Sequence, residues 1–131
     1  MIFRYTILYV ADVAASLDFF ECAFGLERLF LHESGDYGEL ATGQTKLAFS
    51  SQALMQQLEK TPAKADPAAP TFEIAFETAD VPKALARAVK AGAKLVQDAK
   101  DEPWRQVTSY VSDPDGYLIE ICSPVQIPSA G

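Results

Sequence analysis

The chain has 131 residues, 49% of them hydrophobic, which suits one compact domain with its own core. Its 11 basic side chains against 18 acidic ones give a formal charge of -7 spread over both halves, so no basic patch awaits phosphates, and nucleic acid and anionic membrane are poor partners. No run approaches the roughly 20 apolar residues of a membrane span, the opening residues lack the layout of a secretion signal, and Cys22 and Cys122 form no CxxC pair, so a cytoplasmic protein with two free thiols is expected.

In chain order, residues 5–10 alternate and read as a strand. Asp12 follows as an N-cap, and Val13, Leu17, Phe20 and Phe24 recur at three- and four-residue steps, so a helix runs to Gly25, which suits its left-handed end. Three strand-like runs come next, 26–33, 37–42 and 45–50, separated by turns at 34–36 and 43–44. A short helix is expected at 52–58, and the stretch 60–70, rich in proline and alanine, reads as an exposed connector.

The second half repeats the first. A strand ending at Thr78 leads into Ala79-Asp-Val and Leu85, the spacing of Ala11-Asp-Val and Leu17. Asp80 is the N-cap, Pro82 is tolerated in the first turn, Val81, Leu85, Ala88 and Val89 make the inner face, and Gly92 ends the helix. Strands then follow at 94–98, 106–112 and 117–122, with a loop through 101–104 and a sharp turn at Asp113-Pro-Asp-Gly116. The class is α+β and the layout is βαβββ twice: module one at about 1–51, connector 52–70, module two 71–124, tail 125–131. A ferredoxin-like βαββαβ layout is the rival and leaves strands over in each half.

Strand side chains alternate between faces. Thr6, Leu8 and Val10, with Ile74, Phe76 and Thr78, make the faces that meet the helices. The opposite faces carry Tyr5, Ile7 and Tyr9 in one half and Glu73, Ala75 and Glu77 in the other. Lys46, Ala48 and Ser50, and Leu118, Glu120 and Cys122, join them from the last strands. Such a mixed face suits the wall of a cavity.

Through Ala11-Asp-Val, Phe19-Phe20, Phe24-Gly25, Phe72-Glu-Ile-Ala-Phe-Glu77, Ala91-Gly92, Pro103-Trp104 and the run from Asp113 to Glu120, the chain resembles the vicinal oxygen chelate superfamily over about residues 3–124. That superfamily includes glyoxalase I, the bleomycin and fosfomycin resistance proteins, methylmalonyl-CoA epimerase and extradiol dioxygenases. The resemblance implies two tandem βαβββ modules whose curved mixed sheets enclose a ligand cavity, in a homodimer. It also implies one divalent metal, nickel, zinc, manganese or iron, held from the first and last strands of each module, at positions that are here Tyr5, Ala48, Glu73 and Glu120. Of these, Glu73 and Glu120 are ordinary metal ligands, and Ala48 has no donor. His32 is the single histidine, so a centre of two histidines and one carboxylate cannot be built within one chain, which argues against dioxygenase chemistry.

In the family module the first and last strands are neighbours, which brings Glu73 and Glu120 together on one wall. Two carboxylates about 4 Å apart repel by about 4 kcal/mol at an effective dielectric of about 20. A metal ion, a shared proton or a cation such as Arg105 or Lys46 would relieve this. Further pocket candidates are Tyr9, Tyr37 and Tyr110 for their hydroxyls, and Trp104 as packing or as a stacking lid. His32 is either a base titrating near neutrality or a strand-end side chain with a carboxylate partner. Asp113 to Gly116 lacks the later ligands of a calcium loop and reads as a turn.

Two functions stay open, both with a small-molecule ligand. One is a glyoxalase-like lyase or isomerase moving a proton next to a carbonyl, with Glu120 and Glu73 as metal ligands or as acid and base. The other is a metal-free protein that sequesters an antibiotic or another planar, hydrophobic compound, for which Trp104, the tyrosines and the missing metal ligands speak.

Overall fold

The computed structural model describes residues 1–126, so the expected tail at 125–131 lies almost wholly outside the described residues. Two compact units divide the chain after Lys64. The first contains β1 (Tyr5–Val10), α1 (Val13–Phe24), β2 (Arg28–Leu31), β3 (Tyr37–Leu40), β4 (Lys46–Ser51) and α2 (Gln52–Gln57). The second contains β5 (Glu73–Glu77), α3 (Val81–Lys90), β6 (Lys94–Glu102), β7 (Gln106–Ser112) and β8 (Leu118–Cys122).

Each unit holds one open four-stranded mixed sheet, in the orders β1-β4-β3-β2 and β5-β8-β7-β6. The first and last strands of each sheet-forming run are parallel neighbours, and all other pairs are antiparallel. This is βαβββ twice, and the ferredoxin-like alternative is set aside. Among the described residues no helix is long and apolar enough to cross a membrane.

In the first unit, the Asp12 carboxylate accepts from the Ala15 amide at 3.1 Å and starts α1, and Gly25, at φ 67°, ends it. Val13, Leu17 and Phe20 of the helix and Leu8, Val10 and Phe49 of the sheet are all buried, with the Phe20 and Phe49 rings 5.1 Å apart. Burying each large side chain contributes about 1.5–3 kcal/mol. Phe24 is only half-buried, and Phe19 packs edge-on against both Phe20 and Phe24. Helix and sheet approach so closely at β3 that a Cβ on Gly38 would lie 2.7 Å from Leu17 Cδ1 and 3.2 Å from Val13 Cγ1. β2 is shorter than the run 26–33 suggests, and its register with β3 shifts between Arg28 and Phe30. Arg28 ties that strand to α1, donating to Glu21 at 2.8 Å and Asp18 at 2.5 Å.

In the second unit, Asp80 accepts from the Lys83 amide at 3.2 Å, Pro82 sits in the first turn, and Arg87 and Lys90 place positive charge in the last. Val81, Leu85 and Ala88 face the sheet, whereas Val89, expected with them, is 42% exposed. The helix closes on Ala91, one residue before the expected glycine. β6 continues through Glu102, so the expected loop shrinks to a tight turn at 103–105. The Arg105 amide bonds the Glu102 carbonyl there, and the residue takes a positive φ of 64°.

Candidate functional site

Parallel pairing sets Ala75 beside Glu120 and Glu73 beside Leu118, while antiparallel pairing sets Tyr110 opposite Glu120. All these side chains leave the sheet on the face away from α3, and Glu73 is the diagonal neighbour of Glu120. The Tyr110 hydroxyl donates to Glu120 Oε2 at 2.5 Å, and Glu73 is hydrogen-bonded to Glu120.

The two carboxyl groups divide their charge. Burial, and then the hydrogen bond and negative charge of Glu120, raise Glu73 above the ordinary carboxylate range. Burial pushes Glu120 the same way, but hydrogen bonds from Tyr110, Cys122 and Glu73 outweigh it and hold Glu120 below that range. The two carboxyl groups are thus pushed in opposite directions, Glu73 toward its neutral form and Glu120 toward its charged form. The Tyr110 phenol is raised by its bond to Glu120 and by burial, so it stays a donor. The Cys122 thiol is raised to about 11, first by burial and then by Glu120; its Sγ also lies 3.6 Å from the Phe76 carbonyl, and its single proton serves one of the two acceptors at a time.

Among the described residues no basic side chain pairs with either glutamate. Lys46 gives its ammonium to the Gly43 carbonyl. Arg105 borders an open cleft of about 210 Å³ with Asp101, Glu102, Gln106, Ser123 and Gln126. Of the three ways to relieve the carboxylate pair, the cation is therefore not used.

The other expected site residues fall in several places. Tyr5, Ile7 and Ala48 share one face of the first sheet, with Tyr5 half-exposed and Ala48 wholly buried. Tyr37 joins that face and donates to Glu39 Oε2 at 2.7 Å. Tyr9 accepts from Lys60 Nζ at 3.3 Å, with the ammonium 5.5 Å from its ring centroid. His32 is exposed, and its Nδ1 lies 2.8 Å from Ser34 Oγ and accepts from the Ser34 amide at 3.1 Å. Its partner is thus the serine of the turn and not the expected carboxylate. Trp104 is 53% exposed in the β6–β7 turn, where its Nε1 donates to Gln106 Oε1 at 2.6 Å.

Two groups escaped the sequence reading. Glu39 is nine-tenths buried in mid-strand directly opposite Ala48, and its alternation with Tyr37 is the signal that could have found it. Thr108 and Gln97 extend the polar face of the second sheet: Thr108 Oγ1 donates to Glu102 at 2.9 Å and accepts from Gln97 at 3.3 Å.

The four positions that the resemblance assigns to a metal hold two carboxylates, a phenol and a methyl group. Among the described residues no three histidine, cysteine, aspartate or glutamate side chains are gathered as metal ligands, and Glu73 and Glu120 are the only two ordinary donors at the four positions. Such a donor set fits a divalent ion poorly.

The sequence model of the Glyoxalase/Bleomycin resistance protein/Dioxygenase superfamily matches residues 2–121. No curated protein matches the chain. Among solved structures, a glyoxalase-related enzyme from Fulvimarina pelagi is similar at TM-score 0.79 and 23% identity, covering 92% of this chain and 86% of that one. A glyoxalase/bleomycin resistance protein/dioxygenase family enzyme from Burkholderia phytofirmans PsJN gives 0.78 at 20% identity, covering 96% and 100%. TioX from Micromonospora sp. ML1 gives 0.71 at 21% identity, covering 94% and 98%. At these identities the likeness speaks for the fold, and the matched residues speak for the family: the chain belongs to the glyoxalase/bleomycin resistance protein/dioxygenase superfamily.

Proposed function

We propose that the protein is a lyase- or isomerase-type enzyme that moves a proton next to a carbonyl in a small molecule, with Glu120 as base and Glu73 as acid. The pair carries this reading, because it sets two carboxyl groups side by side on one sheet face, Glu73 pushed toward its neutral form and Glu120 toward its charged form. Glu120 takes the acidic C–H proton. Glu73 donates to the oxygen on which enolate charge develops, and Tyr110 holds Glu120 in place. The reading takes the protein as a cytoplasmic homodimer with neither nucleic acid nor membrane as partner.

The test is α-proton exchange. Carbonyl compounds with an acidic C–H are incubated with the protein in deuterium oxide and followed by proton NMR, beside Glu120→Gln. Exchange faster than in the variant by about 10²-fold or more is expected, with binding retained in both. Binding without exchange for every compound would favour the second reading, a metal-free binder of an antibiotic or other planar hydrophobic compound. Exposed Tyr5, Ile7 and Phe30 on the first sheet support that alternative. One equivalent of nickel, zinc, manganese or iron per chain, lost in Glu120→Ala, would replace the shared proton with a metal centre.

A further inference from the structure

The turn between β6 and β7 places an arginine where glycine is favoured. Pro103, Trp104 and Arg105 join Glu102 to its strand partner Gln106, and the third residue of such a loop takes the left-handed conformation that glycine adopts freely. Here that residue is Arg105, at φ 64°. Two backbone bonds hold it there: its amide donates to the Glu102 carbonyl at 3.1 Å, and its carbonyl accepts from the Gln126 amide at 3.0 Å. Among the described residues Arg105 enters no ion pair, so no such pairing accounts for its side chain. Strain kept at one position points to a use for the residue that keeps it.

The cleft of about 210 Å³ beside the turn suggests that use. Arg105 lines it together with Asp101 and Glu102, yet among the described residues no ion pair joins the guanidinium to either carboxylate. The lining is fastened to the sheet. Glu102 Oε1 accepts from Thr108 Oγ1 at 2.9 Å, and Gln106, also in the lining, accepts from Trp104 Nε1 at 2.6 Å and donates to the Ser123 carbonyl at 3.0 Å. Drug-sized ligands occupy about 300–1,000 Å³, so a cleft of this size takes something smaller. Unlike charges that border one small space without pairing match a ligand that carries both charges close together.

We propose that this cleft binds a zwitterion of amino-acid size, its carboxylate on the Arg105 guanidinium and its ammonium on Asp101 and Glu102. The site uses none of Glu73, Tyr110 and Glu120, and it stands or falls apart from the proton transfer proposed there.

The experiment is an amide NMR titration of the full chain with L-leucine, beside isocaproate and isoamylammonium, which keep its side chain and one charge each. Saturable shifts at Glu102, Arg105 and Gln106, and at the indole N–H of Trp104, the single tryptophan, are expected for leucine. Each one-charge compound should bind about tenfold or more weaker. Glycine suits the positive φ, so Arg105→Gly should leave the fold intact and weaken leucine by about tenfold or more. Asp101→Asn alters an exposed side chain and leaves the turn untouched, so it remains informative if Arg105→Gly disturbs the turn. It is expected to weaken leucine by about threefold or more and to leave isocaproate unchanged. Equal affinity for leucine and either one-charge compound, unchanged leucine binding in the variants, or no saturable shift at the highest soluble concentration would each overturn the proposal.

Discussion

Tyr110 and Glu120 stand directly opposite each other on β7 and β8, and the phenol donates to the carboxylate at 2.5 Å. That bond comes first among the interactions that draw Glu120 below the ordinary carboxylate range. Tyr110→Phe removes it and leaves the ring. The Glu120 carboxyl should then titrate at higher pH, read from the carbon chemical shift of labelled glutamate. A hydrogen bond to a charged group is worth about 1.5–3 kcal/mol, so exchange activity at the site should fall about tenfold or more. An unchanged titration would mean that Tyr110 does not control the pair.

Asp113 gives the chain an acid-side stability feature. Its Oδ1 accepts from the Asp115 and Tyr117 amides, while Oδ2 is buried with no partner among the described residues. Burial raises the carboxyl from 3.8 to about 6, ahead of the opposing backbone bonds. The folded chain therefore binds this proton more tightly than the unfolded chain. The resulting stability is fully present below about pH 4 and is lost as pH rises through about 6, a change of about 2–3 kcal/mol. Asp113→Asn keeps the Oδ1 acceptor and removes the titration. Urea unfolding between pH 4 and 8 should show the decline in the parent and a flatter profile in the variant; parallel profiles would count against the assignment.

Gly38 tests how tightly α1 seats on its sheet. A methyl group there meets Leu17 and Val13 below contact distance, with the Phe30 carbonyl at 3.2 Å. Over-packing of this kind costs about 1–3 kcal/mol. Gly38→Ala should lower the Tm by several degrees, and a variant as stable as the parent would show that the helix can shift outward freely.

The two thiols should separate under native conditions. Cys22 is exposed, whereas Cys122 is buried with its thiol raised to about 11. A disulfide reagent at pH 8 should consume one thiol per chain quickly and the second only after denaturation. Rapid reaction of both would mean that β8 opens readily.

Both strand-helix units were legible in the sequence, because capping aspartates, helical spacing and the alternation of strand residues are local signals, whereas the meeting of Glu73 and Glu120 followed only from the family resemblance, which makes the first and last strands neighbours. The long β6 was not: Lys94 to Glu102 is polar and half-exposed at a sheet edge, so periodicity gave no clue that it continued past Asp98. Val89 was misplaced for a related reason, since an apolar residue one step round a helix from the core looks like its neighbours until packing excludes it. Glu39 was missed because its burial depends on partners on β2 and β4, which a strand read alone does not reveal.

In the second unit β8 lies between β5 and β7. Of the four strands of this unit β8 comes last in chain order, and it is the one that joins the sheet: before it arrives, β6 and β7 can form a hairpin, but β5 has nothing to pair with. Glu73 then waits on a lone strand without Glu120. Assembly of the carboxyl pair and completion of the sheet are therefore one event.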